Sequence, residues 1–165
     1  MGYYVNITDA DWYIPTDQQD AAYEAVCALN NRNDLKRGGV YPREDGLEQT
    51  TTPTPALWFA WMDWNYPETC PDLSAVLEQV GYDLSVDEDG SLAIRGYNAK
   101  SGQEDLFLAA LAPFAQARYA DDAYVNWQGE EGEMWQNAAR DGRLWQQEIT
   151  VAVHGAATEF VPRRY

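Results

Sequence analysis

Between Tyr82 and Ile94 the chain alternates in a way that admits one local structure. Tyr82, Leu84 and Val86 are separated by polar residues, Asp87-Glu88-Asp89-Gly90 carries turn chemistry, and Leu92 and Ile94 resume the alternation. A period of two sends successive side chains to opposite faces, so the segment predicts a hairpin with one buried side. An isolated hairpin is marginal in water and needs further strands or a helix layer.

Both are written nearby. Gly2 to Ile14 reads as a strand, either continuous or interrupted by a turn at Thr8-Asp9-Ala10-Asp11. Pro15 and Thr16 introduce a helix, Thr16 and Gln19 having capping-box spacing and Ala22, Val26 and Leu29 forming its buried stripe. Arg32, Lys36 and Arg37 gather toward a stop at Gly38-Gly39. Residues 38–56 lose all periodicity and predict a long loop or insertion rich in Gly, Thr and Pro. Leu57 to Tyr66 reads as a strand with aromatics on both faces. Asp72 to Val80 is a helix with Leu73, Val76, Leu77 and Val80 on one side and Gly81 as its stop. Ser101 and Glu104 repeat the capping-box spacing ahead of Leu106, Phe107, Ala110, Leu111 and Phe114. Three strands follow, Tyr124 to Gln128, Glu133 to Ala138 and Arg143 to Val153. The order β-α-β-α-ββ-α-βββ predicts one α+β domain over residues 1–165, its three helices on one face of a mainly antiparallel sheet.

Charge narrows the partners. Twenty-seven Asp and Glu against eleven Lys and Arg give a formal net charge of −16. Eleven carboxylates lie from Glu44 to Asp89, with no base between Arg43 and Arg95, and five more lie from Asp121 to Glu133. Nucleic-acid affinity comes largely from Lys and Arg neutralising phosphates, so direct DNA or RNA binding is excluded and a protein with a basic surface is favoured. No apolar run reaches membrane-spanning length, and Asn6 breaks the myristoylation pattern that Met1-Gly2 begins. The expectation is a cytoplasmic protein with Cys27 and Cys70 as reduced, packed thiols.

Catalytic signals are sparse. The one histidine, His154, lies beyond the final strand, and no nucleophile elbow, phosphate loop or dinucleotide fingerprint occurs. One His and two isolated Cys do not make a standard zinc set. Aligning Gly90 with the sixth position of a calcium loop puts Gly96 where a bidentate Glu is required, and the match fails. No enzyme, metal or cofactor is expected.

Seven Trp and eleven Tyr interleaved with acids stand out instead. Aromatic anchors ringed by charge concentrate binding energy, although the same residues fill small cores. Trp58, Trp61, Asp63, Trp64, Tyr66 and Glu68 form one candidate partner surface, joined by Asp87, Glu88 and Asp89 and by Glu130 and Glu131. The alternative is a pocket for a nucleotide-like small molecule, with Trp127 and Trp135 stacking on a base and Arg95, Lys100, Arg118, Arg140 or Arg143 meeting phosphate. Trp127 and Trp135 also read as a structural pair bracketing a tight hairpin. Exposed aromatic strands can pair symmetrically, which leaves a homo-oligomer open.

The segments Met1-Gly2-Tyr3-Tyr4-Val5, Trp61 to Thr69, Glu104 to Phe107 and Trp127 to Trp135 resemble small bacteriophage proteins, especially those of phages of actinobacteria. The likeness spans most of the chain outside 38–56, while Glu131 and Gln136 depart from the pattern. It implies a phage accessory protein of the kind that manages the host or its defences. With the segregated acids and the absent catalytic set, it leads to the expectation of stoichiometric binding to a host or anti-phage defence factor in the host cytoplasm, in one form by mimicking DNA. It implies no catalytic residue.

Overall fold

The computed structural model describes residues 2–39 and 57–150. Its frame is a seven-stranded antiparallel sheet. The strands are β1 (Tyr4–Asp11), β2 (Tyr13–Ile14), β5 (Tyr82–Val86), β6 (Leu92–Lys100), β7 (Ala123–Gly129), β8 (Met134–Arg140) and β9 (Arg143–Glu148). They run side by side as β5, β6, β1, β7, β8 and β9, with β2 prolonging the β1 edge along β6. Two further short strands, β3 (Gly38–Gly39) and β4 (Leu57–Trp58), pair with each other. The α+β class and the 82–94 hairpin stand as expected. Of the two forms open for residues 2–14, the strand runs unbroken through 8–11 to Asp11, with a bulge where its register against β7 slips between Ile7 and Asp9.

Helices α1 (Gln19–Ala28), α3 (Leu73–Val80) and α4 (Glu104–Leu111) layer on one face, α1 packing on both others, while α2 (Tyr66–Thr69) is a single turn. None of the described helices is long and apolar enough to cross a membrane. Only α3 is capped as its sequence says. The Asp72 carboxylate accepts from Ala75 N–H at 2.9 Å, and Gly81 closes the helix at a left-handed φ of 118°. Thr16 and Gln19 make no capping box. Thr16 donates to the Asp89 carbonyl at 2.8 Å and Gln19 to the Gly90 carbonyl at 2.8 Å, so both tie the helix entry to the β5–β6 turn. At α4 the Ser101 hydroxyl donates to Glu104 at 2.6 Å, and Gly102 N–H bonds the other oxygen at 2.7 Å. These are not the bonds of a capping box, because Ser101 N–H goes to the Tyr3 carbonyl and the helix starts after Gln103, but they hold the buried Glu104 side chain in place. The first helix ends at Ala28, before Arg32, Lys36 and Arg37, and the chain passes through two 3-10 turns to Gly38.

The largest departure is residues 57–66, which are no continuous strand. Pairing stops at Trp58, and the buried residues that follow are Phe59, Met62, Tyr66 and Cys70. Steps of three and four are helical spacing, and the chain indeed turns tightly there before α2. Of the long loop expected over 38–56, Gly38–Gly39 instead form the short strand β3; residues 40–56 lie outside the described residues, as do residues 151–153 at the end of the last expected strand.

Two aromatic arrays fill the core. Phe59, Tyr66 and Phe107 meet with centroids 5.5–6.4 Å apart. Tyr82, Tyr97, Trp127 and Trp135 form the other, beneath the sheet. The opposite sheet face is polar: Gln136 bonds Asn126 at 2.9 Å, and the Tyr124 hydroxyl, pushed up to about 12 by its bond to Asp9, donates at 2.7 Å. One core position is poorly matched. Asn137 is 1% exposed, and its side-chain oxygen has no partner among the described residues. Burying an unpaired acceptor costs about 1–3 kcal/mol, so Asn137→Leu, similar in size, is expected to stabilise by about 1 kcal/mol in urea unfolding. A destabilised variant would show that the amide is needed.

Candidate binding site

At one end of the sheet the tip of β1, the β5–β6 turn and the loop between α4 and β7 enclose an open cleft of about 570 Å³. The turn folds by its own chemistry. Gly90 adopts a left-handed φ of 80°, and Asp87 N–H bonds the Ser91 carbonyl at 2.9 Å. That aims Asp87 and Asp89 toward two arginines distant in sequence. Arg118 reaches Asp87 at 2.8 Å and Asp89 at 3.3 Å, while Arg95 reaches the other Asp87 oxygen at 2.8 Å. The Arg118 guanidinium also lies 4.3 Å from the Tyr13 ring centroid.

Asp11 organises the facing wall. Its carboxylate accepts the backbone N–H groups of Arg118, Tyr119 and Ala120 at 2.8, 2.8 and 2.9 Å. Partial burial pushes this carboxyl up, but the three bonds together with the Arg118 charge outweigh it, and it sits below the ordinary 3.8. The consequence is at Tyr119. Its backbone is held by its own N–H and by those on either side, yet the residue is 94% exposed at the cleft rim.

The expected site residues divide. Asp87, Glu88, Asp89, Arg95 and Arg118 come together here, acids of the expected partner surface beside bases of the expected small-molecule pocket. Folding supplies the cations that the 44–89 segment lacks, so Asp87 and Asp89 are neutralised in pairs, while Glu88 makes no ion pair among the described residues. Tyr66 is no surface residue: it is 1% exposed, and its hydroxyl donates to the Val26 carbonyl at 2.6 Å. Trp58 is half-buried against Gly38. Asp63 is tied to Gln79 at 3.0 Å, and Trp64 and Glu68 line a separate shallow groove beside α1. Glu130 and Glu131 project from the β7–β8 turn.

The base-stacking set does not assemble. Trp127 is buried and stacks on Trp135, directly across the hairpin, with centroids 6.2 Å apart and planes at 12°. They are the structural pair. Arg140 binds Asp122 at 2.8 Å, Arg143 stands at the β8–β9 turn, and Lys100 lies at the end of β6 beside Tyr4 and Trp61. Cys27 and Cys70 are unpaired, and burial raises both thiols, which keeps them protonated. Among the described residues no group of three or more His, Cys, Asp or Glu is placed to hold a metal, and His154 lies outside them.

Sequence reasoning missed Asp11, Tyr13 and Tyr119. A signal existed for Tyr119: a tyrosine in the polar stretch Arg118 to Asp122, between a helix and a strand, has no periodic partner to bury it. No family model matches this chain, and neither a curated protein nor a solved structure does.

Proposed function

We propose that this chain is a non-enzymatic binding protein that occupies a basic face of a partner protein, with Tyr119 as the anchor. The observation carrying this reading is a tyrosine 94% exposed on backbone pinned through three N–H bonds. Interfaces draw most of their energy from a few aromatic or Arg anchors, and a pre-ordered anchor loses little freedom on binding. Glu88 and the neighbouring Asp121 supply negative charge around it, and the net −16 speeds encounter with a cationic partner. Asp87 and Asp89 act differently: bound to Arg95 and Arg118, they shape the cleft and contribute little net charge.

The resemblance to phage proteins gives this binding a setting, in which the partner is a host or anti-phage defence factor blocked one-to-one. A basic nucleic-acid channel is the form of partner that such a surface suits. Immobilised wild type and Tyr119→Ala, incubated with host lysate at low and moderate salt, test the reading. A partner held by the wild type, released by salt and bound about thirtyfold more weakly by Tyr119→Ala is expected for a hot-spot residue. Identical retention by both proteins would contradict it.

A further inference from the structure

A second feature lies apart from the Tyr119 face. Trp61 holds a φ of 68°, which L-residues with large side chains seldom adopt. The surrounding structure imposes it from both sides. Before it, the buried Gln103 amide donates to the Ala60 carbonyl. After it, Asp63 and Gln79 exchange two bonds, Asp63 N–H to Gln79 at 3.2 Å and the Gln79 amide to Asp63 at 3.0 Å. The ring so positioned is not tucked away, for Trp61 is 66% exposed. Strained backbone persists where neighbours over-determine it and gathers at ligand sites.

Beside Trp61 stands a cleft of about 390 Å³, walled by Val80, Gly81, Tyr97 and Ala99 and rimmed by Tyr4, itself 47% exposed. The Lys100 ammonium lies near both aromatic rings, 5.5 Å from the Trp61 centroid and 5.9 Å from that of Tyr4. Its stem rests on Gly2, where any Cβ would collide with it. In a chain of net charge −16, Lys100 makes no ion pair among the described residues. Asn98 adds an amide at the rim, with the donor and acceptor that a base edge can use.

We infer that this cleft is a binding site for a mononucleotide-type ligand, its base stacked on Trp61 and Tyr4 and its phosphate on Lys100. Two aromatic rings near one cation match a flat ring that carries an anion. The volume lies near the lower end of small-molecule sites, about 300–1,000 Å³, which fits one nucleotide and not a strand. The overall negative charge does not forbid it, because at physiological ionic strength charges beyond about 8 Å are largely screened. The site shares no residue with the Tyr119 cleft, so either can fail alone.

Calorimetric titration of the full chain with AMP, GMP, CMP and UMP, and with adenosine and inorganic phosphate as controls, tests it. Saturable binding of at least one nucleotide is expected, with adenosine and phosphate each weaker by about tenfold or more. Lys100→Gln and Trp61→Gly should each weaken the nucleotide by about tenfold or more. The glycine variant separates function from folding. Glycine accepts a positive φ without strain, so Trp61→Gly should keep or raise the melting temperature while losing the ligand. Absence of heat with every nucleotide overturns the inference. So does phosphate binding as tightly as the nucleotides, or a Trp61→Gly protein that melts lower and binds unchanged.

Discussion

Trp127→Ala is expected to destabilise this protein by about 3–5 kcal/mol, the range for truncating a large buried aromatic. Trp127 is 1% exposed and sits at the meeting point of the second aromatic array. Its ring lies 5.5 Å from Tyr97, 6.4 Å from Tyr82 and 6.2 Å from Trp135. Those neighbours belong to β5, β6 and β8, so one truncation loosens three strands and leaves a void that a β-sheet cannot readily close. For a chain of 165 residues the cost corresponds to a fall in melting temperature on the order of 10 °C. Trp127→Phe is the informative contrast. The indole N–H has no hydrogen-bond partner among the described residues, so phenylalanine removes volume together with an orphaned donor. Its cost should be about 1–2 kcal/mol, well below that of alanine. Urea unfolding with unchanged m-values measures both. Equal losses for the two variants would show that the indole's polar atom matters more than its volume.

Parts of this architecture were legible because their determinants are local. The 82–94 hairpin needs a period of two and a glycine at a turn, and α3 needs Asp72 before it and Gly81 after it; all are adjacent in the chain. The segment from Leu57 to Tyr66 misled for a definable reason. Trp, Phe and Tyr favour strands on average, whereas the spacing of Phe59, Met62, Tyr66 and Cys70 favoured a turning chain, and burial follows the spacing. Thr16 and Gln19 had the right separation for a cap, yet the β5–β6 turn offered them carbonyls, a tertiary competitor invisible in the chain order. The same holds at the cleft. A run of acids without bases suggests a bare negative surface until Arg95 and Arg118 are brought across it, and nothing near Asp11 in sequence announces the loop it holds.

Asp11→Ala should release that loop while leaving the sheet intact. Hydrogen bonds to charged groups contribute about 1.5–3 kcal/mol each, though bonds shared by one carboxylate do not add. Amide exchange at Arg118, Tyr119 and Ala120 is therefore expected to speed by about ten- to a hundredfold, with amides around Trp127 unaffected. Capture of the partner should fall nearly as far as in Tyr119→Ala, because an anchor that must be ordered on binding loses its advantage. The double variant should then be little worse than either single one, since both act on one element. Acid gives an independent arm. A carboxyl whose pKa is lowered by folding contributes stability above its unfolded value and loses it as pH falls through the folded one. Asp11 is lowered from 3.8, and Asp89 moves the same way through its bonds from Ser91, with Arg118 adding to it. The loop should thus stay protected at neutral pH and open only below its ordinary carboxyl range, and Asp11→Asn should remove that acid step. Exchange at 118–120 that ignores both the substitution and the acid would mean that other contacts hold the loop, and the case for Tyr119 as a pre-ordered anchor would lapse with it.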